Sequence, residues 1–567
     1  MRIRFRIFDR ETKKIIPARI ILKKGSRSIL NHYTEWEGIY TEGEETYDIP
    51  AGKYSINIKA GNEYKETEKQ ITIKEDKTEY NFYLSRILNM EETGWWCGEG
   101  HTHIYRGDNE VNYRQIYLIM KAEGFNYILI GAPVNNKEEQ LIKELRNSEH
   151  KKNILNAFIK NRKKVLLELK KYRKKGFYFL NGMETPKCRF GHIWWFNFPL
   201  KTNPVKYWDE EYDKWQNSGA KRKEPYPAFF NYEAIKKIKE ASKKALAIYA
   251  HPVSWWFQGK NFITNISAEL IFDTIAGPVY DGLSIMSYDT DNKYSQQLWY
   301  YILNMGYKIP GFSEMDACFG HSTKFSKHIF KTYIYTGSKK FNYKKITKSA
   351  KKGQSFMTSG PLLFLKVNRK LPGTVFKIKK KTTFNFEITA IASGFIKEKI
   401  KKVELIKNGK IINTWTNNKI SFHKNLEQSI ISSCWYTVKC YGNSPEQVAI
   451  SNPVYFEAEK KDLIKTVLLT IKNKKNDVLI IENNKKKKKI KIKKNTCRIN
   501  IPITASVKIL RRKKIILNKR IIEFPQILKN LQFLYKGEFL QRDKRLKPGE
   551  IPLKYFTLLS ELPEIEI

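Results

Sequence analysis

Strand-like and helix-like segments alternate between residues 89 and 365, and this alternation constrains the fold more than any other feature of the chain. The helical pattern NYRQIYLIMKAEGF precedes the apolar run NYILIGA, and YEAIKKIKEASKK precedes ALAIYAHP. Such repetition is typical of βα units around a parallel sheet or barrel. The predicted strands end in Gly, His, Glu and Asp, where a βα barrel exposes its catalytic groups. We therefore predict an α/β fold with a distorted βα barrel, and expect the chemistry of the chain there.

β-forming segments flank this region on both sides. Residues 1–88 predict an N-terminal β-sandwich, and the phrase IPAGKYSINIKAGNEYKETEKQITI resembles carboxypeptidase-regulatory modules. Residues 366–457 predict a second sandwich, and 458–567 a C-terminal β-rich module. The lysine run Lys485–Lys489 is interpreted as the solvated edge of a hairpin. At roughly 150 residues per domain, the length of the chain accommodates these four modules.

The chain is strongly basic, with 105 Lys and Arg against 57 Asp and Glu and a net charge of +48. The excess lysine is spread throughout and is accompanied by no RRM, KH, zinc-finger or basic-zipper pattern, so we expect no specific nucleic-acid partner. No apolar run approaches roughly 18 residues, so we predict no membrane span. No signal peptide is visible, which indicates the cytoplasm, or export if a precursor was trimmed. The six scattered cysteines do not fix the redox compartment.

A pair of histidines, His101 and His103, stands in the segment GWWCGEGHTHIYRG. On a strand, residues i and i+2 face the same side, so both imidazoles can reach one metal ion. Further candidate ligands follow strand-like segments downstream: Glu184, His192, His251 and Asp316. A barrel would bring all of them to one end. The alternative is that they are polar residues at its mouth that contact no metal.

These motifs resemble the polymerase-and-histidinol-phosphatase (PHP) metallohydrolase superfamily, and within it the CehA/McbA branch of carbaryl-hydrolase-like proteins. The resemblance is carried by GEGHTH at 98–103, GME with GH at 182–192, AHP at 250–252 and PGFSEMDA through LPG at 310–373. It implies a distorted βα barrel that binds zinc, manganese or iron. It also implies hydrolysis of phosphoesters or, in this branch, of esters and carbamates.

The resemblance further implies a centre of one or two divalent metal ions. Six residues match the metal ligands of the family: His101, His103, Glu184, His192, His251 and Asp316. Glu184 matches the carboxylate that bridges two metals, and His192 and His251 match the histidines of the second site. The catalytic candidates are Glu184, His251 and Glu99. Glu99 takes the place of the usual aspartate beside the HxH pair, where it would orient His101 or shuttle protons.

Three residues depart from the family pattern. Ala132 and Pro133 stand where the superfamily usually has metal ligands, and Cys318 replaces the histidine of a final Asp-x-His motif. The Ala132–Pro133 segment and Cys318 both correspond to the third metal site, so we predict a mononuclear or dinuclear centre. Cys318 is either a small buried cysteine or a thiolate ligand. His321 and His328 follow in a loop, as surface residues or as residues that overhang the site.

Pairs of adjacent tryptophans lie within a few residues of three ligand motifs. Neighbouring strand residues face opposite ways, so one member of each pair is expected in the core, while the other lines a pocket for an aromatic ring or a sugar face. Two arginines near the motifs keep a phosphate substrate open. The candidate pocket residues are Trp96, Trp194, Trp255, Arg106 and Arg189.

The sequence thus predicts a metal-dependent hydrolase that acts on a small-molecule or glycan substrate through a metal-activated water. The alternative is a degenerate barrel that binds a carbohydrate or another surface ligand without catalysis. The missing third-site ligands favour this alternative, whereas the six matching ligands favour the enzyme. The oligomeric state stays open.

Overall fold

The structure of the protein, a computed structural model, describes most of the chain. The described residues are 1–30, 38–104, 111–147, 151–188, 191–206, 230–258, 261–266, 270, 273–274, 277–287, 292–319, 329–458, 466–472, 477–483, 486–492, 496–502, 505–520 and 565–566. Strands predominate over helices in this part of the chain. None of the described helices is long and apolar enough to cross a membrane.

The N-terminal region is a β-sandwich of two sheets. Its strands are β1 Arg2–Asp9, β2 Ala18–Lys24, β3 Arg27–Ser28, β4 Ile39–Thr41, β5 Glu44–Asp48, β6 Gly52–Lys59, β7 Thr67–Ile73 and β8 Glu79–Leu84. One sheet has the order β5-β1-β8; the other has the order β3-β2-β6-β7, with β4 paired to β2. Every second residue of β1 is buried, including Ile3, Phe5 and Ile7, because alternate side chains of a strand face the core.

The central region mixes strands with helices. Its strands are β9 Trp95–His103, β10 Tyr127–Ile130, β11 Tyr178–Asn181, β12 Glu184–Cys188, β13 Gly191–Phe196, β14 Leu246–Tyr249, β15 Val253–Gln258, β16 Asn261–Ile266, β17 Gly282–Met286, β18 Gly311–Ser313, β19 Ala317–Cys318, β20 Lys331–Tyr335 and β21 Ser355–Thr358. Its helices are α1 Tyr113–Ala122, α2 Asn136–Asn147, α3 Lys151–Glu168, which continues into a 3-10 helix at Leu169–Lys175, α4 Phe230–Ala241, α5 Asn292–Asn304 and α6 Tyr343–Lys352.

The remaining regions contain strands alone in the described part. They are β22 Leu362–Val367, β23 Val375–Lys377, β24 Thr382–Ile391, β25 Ile400–Lys407, β26 Lys410–Lys419, β27 Ser421–Ile430, β28 Cys434–Tyr441, β29 Val448–Ser451, β30 Val454–Glu457, β31 Thr466–Lys472, β32 Val478–Asn483, β33 Lys486–Lys491, β34 Thr496–Pro502, β35 Ser506–Arg511, β36 Lys514–Arg520 and β37 Ile565–Glu566. The lysine run falls largely on β33, an edge strand of the sheet β33-β32-β35-β36.

The predicted βα barrel is wrong. A barrel of this kind closes a ring of parallel strands, whereas the central strands belong to separate sheets of mixed direction. In one sheet β9, β10 and β11 are parallel, but β20 runs antiparallel to β9 and β21 antiparallel to β20. In the other, of order β12-β13-β14-β17-β18, β13 is antiparallel to both of its neighbours. Apolar periodicity marks a buried strand but does not encode the direction of its neighbour.

The first of these sheets extends beyond the central region. It has twelve strands, and its main path is β11-β10-β9-β20-β21-β29-β28-β25-β26. The antiparallel pair of β21 and β29 joins Phe356 to Ser451 and Thr358 to Ala449. A single sheet therefore crosses the predicted boundary between residues 365 and 366.

The two central sheets approach each other closely where β9 passes β13. A Cβ atom on Gly100 would lie 2.3 Å from the indole ring of Trp194. The absence of a side chain at Gly100 therefore lets the two backbones come together. As a result, the end of β9 faces the start of β12, the end of β14 and the segment after β18.

Candidate metal centre

Strand β9 supplies two imidazoles to one point. His101 and His103 share a face of this strand, and their ring centroids are 5.1 Å apart. Both are buried, with His101 only 2% exposed. Nε2 of His101 lies 3.3 Å from Oδ1 of Asp316, and Nε2 of His103 lies 2.9 Å from the same oxygen. The two nitrogens therefore converge on one carboxylate.

Glu184, the first residue of β12, faces the same point with both of its oxygens. Oε1 lies 3.2 Å from Nε2 of His101 and 2.8 Å from Nδ1 of His192, which is on the neighbouring strand β13. Oε2 lies 3.4 Å from Nε2 of His103. Because its oxygens face different histidines, Glu184 has the arrangement of a carboxylate that joins two groups of ligands.

His251 follows the end of β14 and completes the second group. Its ring centroid is 5.6 Å from that of His101 and 5.0 Å from that of His192. The backbone at His251 has a φ of 22°, and at Asp316 a φ of 45°. Positive φ is uncommon outside glycine and costs about 1–3 kcal/mol where it is strained. Backbone strain thus coincides with two of the candidate ligands.

Two overlapping sets of side chains could each hold a cation. The ligand atoms of His101, Glu184 and His251 lie within 4.8 Å of one another, and so do those of His101, His103 and Asp316. Among the described residues, Nε2 of His101 and Oδ1 of Asp316 are buried without a hydrogen bond of good geometry, although each has a polar atom within 3.3 Å. Such atoms are costly unless something satisfies them. A divalent cation would do so, and imidazole with carboxylate suits zinc, manganese or iron.

The buried charges of the cluster shift the pKa values of His101 and Asp316 in opposite directions. Burial lowers the pKa of His101, but the carboxylates of Asp316 and Glu184 outweigh it and raise that pKa well above its usual value. For Asp316, burial raises the pKa, but the charges of His101 and His103 outweigh burial and hold the pKa below its usual range. The carboxylates therefore create a field that attracts a cation.

Two buried glutamates, Glu99 and Glu314, lie next to this cluster. Oε1 of Glu99 accepts hydrogen bonds from the backbone N–H groups of His101 at 2.8 Å and Met315 at 3.2 Å. Burial raises the pKa of Glu99 well above its usual value. Oε2 of Glu314 lies 3.1 Å from Nδ1 of His101. Of these two glutamates, Glu314 therefore contacts the imidazole of His101, whereas Glu99 contacts its backbone.

Glu314 was missed by the sequence reasoning. A signal was present, because this carboxylate stands two residues before Asp316 in the motif FSEMD. Alternate residues near a strand end tend to face the same side. The spacing alone would therefore have placed both acids near the site.

Trp96 and Trp194, two of the three candidate pocket tryptophans, are buried. Trp194 is 2% exposed and donates its indole N–H to Oγ of Ser284 at 3.2 Å, and Trp96 donates to the carbonyl of Ser338 at 2.9 Å. Both indoles pack in an apolar cluster, and their assignment to a substrate pocket stays a prediction. The side chains of Trp255, Arg106 and Arg189 lie outside the described part of the chain.

Of the positions that depart from the family pattern, Cys318 lies beside His103. Cys318 is buried on β19, in register with His103 on β9, and its thiol donates to the carbonyl of Asp316 at 3.5 Å. Ala132 is buried in the main apolar core. Among the described residues, Cys318 belongs to neither ligand set. His321 and His328 fall outside the described residues.

Comparisons with known proteins assign no family to the chain. No protein-family model matches it. No curated protein matches it either.

The similar solved structures are remote. The major pilin subunit of Bacillus cereus is 16% identical over 27% of this chain, which spans 60% of the pilin, with a TM-score of 0.13. A CARDB domain from Pyrococcus furiosus, solved in complex with di-metal ions, is 16% identical over 18% of this chain and 96% of its own length, with a TM-score of 0.12. A β-glucuronidase from Bacteroides uniformis is 9% identical over 83% of this chain and 60% of its own, with a TM-score of 0.17. Scores this low support no conclusion about function.

Proposed function

We propose that the protein is a metal-dependent hydrolase that cleaves an ester, a carbamate or a phosphoester. The observation that carries this proposal is a buried histidine and carboxylate cluster at whose centre two atoms, Nε2 of His101 and Oδ1 of Asp316, lack a well-formed hydrogen bond among the described residues. The resemblance of the motifs to the CehA/McbA branch of the PHP superfamily supports the same activity. The βα barrel of that family is contradicted by the antiparallel pairs of β12 with β13 and of β9 with β20.

The candidate ligands divide between two ions. His101, His103 and Asp316 would hold one, and His192 and His251 the other, with Glu184 shared between them. When bound, divalent cations supply a Lewis acid and lower the pKa of a coordinated water toward neutrality.

The chain itself contributes orientation, shielding and access. Glu99 and Glu314 hold the backbone and the imidazole of His101, so the ligand geometry is set before a substrate arrives. Most ligand side chains are nearly inaccessible, which excludes bulk water and strengthens electrostatic interactions. Asp316 and His192 are the more open ligands, with side chains 18% and 20% exposed. A substrate would therefore approach from the side of these two residues.

Elemental analysis combined with a hydrolysis assay tests the proposal. The purified protein should contain one or two equivalents of a transition metal per chain. It should cleave a chromogenic ester, carbamate or phosphate, lose this activity after treatment with a chelator, and regain it when zinc or manganese is returned. Absence of stoichiometric metal, both as purified and after loading, would overturn the proposal. Metal without turnover of any of the three substrate classes would favour the non-catalytic binding protein instead.

A further inference from the structure

Glu314 joins two segments that carry candidate ligands. It follows β18 and is fully buried. Oε2 lies 3.1 Å from Nδ1 of His101 on β9, and Oε1 accepts a hydrogen bond from the backbone N–H of His251 at 2.5 Å. Its own backbone N–H donates to the carbonyl of Met286 at 3.0 Å. One carboxylate therefore spans the end of β9 and the residue after β14, and is itself anchored to β17.

The contact with His101 sets which nitrogen faces the cluster centre. With a cation bound at Nε2, Nδ1 would be the nitrogen that carries a proton, and Oε2 of Glu314 is placed to accept it. Nε2 faces Asp316 and Glu184, and among the described residues it has no hydrogen-bond partner of good geometry. Metal-binding histidines are commonly held this way by an acceptor on the other ring nitrogen.

The contact with His251 acts on the backbone. With a φ of 22°, His251 has a conformation that residues with a side chain seldom adopt. Such a conformation persists only where surrounding contacts determine it. The hydrogen bond from its N–H to Glu314 is one such contact.

We infer that Glu314 is a positioning residue for the metal centre: it fixes the tautomer of His101 and the backbone of His251 together, so that both imidazoles are ready to bind a cation. This inference rests on the proposed function, because it presupposes a bound metal. Glu99 does not duplicate this role, since its hydrogen bonds go to backbone N–H groups alone.

The variant Glu314→Gln isolates the effect, because the amide has nearly the same volume but a single acceptor oxygen. It cannot accept from both Nδ1 of His101 and the N–H of His251. Its NH₂ group would face either the backbone N–H of His251, donor against donor, or Nδ1 of His101. In the second case Nδ1 would have to accept, and the proton would move to Nε2, where the metal should bind. We expect its affinity for zinc to fall about 10- to 100-fold, as is typical when an outer partner of a metal ligand is lost.

Zinc affinity is measured by competition with a chromogenic chelator, starting from metal-free protein. The matched control is Glu404→Gln, which alters a buried glutamate on β25 that accepts from the hydroxyl of Tyr441. This control should bind zinc as the wild type does. Cobalt provides a second measurement, because its visible absorption reports the ligand set. That spectrum should change in Glu314→Gln and stay unchanged in the control.

The outcomes separate the two proposals. If the wild type binds neither zinc nor cobalt, the proposed function fails. If the wild type binds zinc and Glu314→Gln binds it within about threefold, with an unchanged cobalt spectrum, the positioning role alone is overturned. Should Glu314→Gln not fold, Glu314→Asp takes its place: it keeps two acceptors but is one carbon too short to reach both donors. Wild-type zinc affinity in that variant would equally overturn the inference.

Discussion

Glu184 is the side chain on which the proposed two-metal centre would depend, since its two oxygens face different histidines. Replacing it by glutamine keeps the volume but removes the negative charge between two cations. We expect Glu184→Gln to lower kcat/KM by about a hundredfold or more while the protein remains folded. The measurement is turnover together with metal content per chain.

The matched control for this prediction is His423→Ala. His423 is exposed on β27 and bonds to Oγ1 of Thr389, so its removal should leave both turnover and metal content unchanged. Full activity in Glu184→Gln would assign the bridging role to another residue.

Proton competition at His101 predicts how metal affinity changes with pH. Burial lowers its pKa, but Asp316 and Glu184 outweigh burial and raise that pKa well above the usual value in the metal-free protein. A cation that binds Nε2 must therefore displace a proton at neutral pH. We expect the zinc affinity to rise by about tenfold per pH unit for each displaced proton, over about pH 6 to 8. Titrations in buffers of different ionisation heat count the protons, and an affinity independent of pH would contradict this account.

At this scale, much of the candidate site could be predicted from the sequence. Each of the six proposed ligands stands in a short motif beside a strand-like run, and the structure brings all six together. Glu314 was not predicted, because its place two residues before Asp316 indicates a position near the site but not which side chain it contacts. Alternation predicted one buried member in each tryptophan pair, but Trp194 and Trp195 are both buried, because each packs into a different apolar cluster.

Among the elements, the contact of β9 with β13 brings the histidines of β9 next to Glu184 on β12 and His192 on β13. Trp194 on β13 packs against Gly100 on β9 and against Phe196 and Phe312. We expect Trp194→Ala to reduce the free energy of unfolding by about 3–5 kcal/mol, because it leaves a large cavity. Urea denaturation measures this loss.

The companion variant is Trp415→Ala on the edge strand β26, where a half-buried indole packs on Phe422. Its cost should be smaller, about 1–2 kcal/mol. A small loss of stability in Trp194→Ala, accompanied by weaker substrate binding, would return this ring to the pocket wall.

Strand identity was easier to predict than strand pairing. The apolar runs YILI and LAIY are the strands β10 and β14, as their composition indicates. The antiparallel pairs β12 with β13 and β9 with β20 have no such local signal, because the partner depends on contacts between distant segments. The barrel prediction failed for this reason.

Across the whole molecule, a buried lysine links the N-terminal sandwich to the twelve-stranded sheet. Nζ of Lys331, on β20, donates to Oδ1 of Asn62 at 2.8 Å and to the carbonyl of Glu123 at 2.5 Å. Lys331→Met would leave both acceptors without a donor, so we expect it to lower the free energy of unfolding by about 2–5 kcal/mol. The exposed Lys339 serves as the control, and Lys339→Met should change stability by less than about 0.5 kcal/mol. Equal unfolding midpoints for the two variants in urea would contradict this role of Lys331.

The pairing of β21 with β29 also bears on how the protein can be divided. A fragment that ended at residue 365 would keep β21 but lose the strand that covers its outer edge. Its free N–H and carbonyl groups would then be open to pairing with other copies, which is a common route to aggregation. The proposed metal ligands all precede residue 317, yet a fragment that keeps β21 paired also has to include β29.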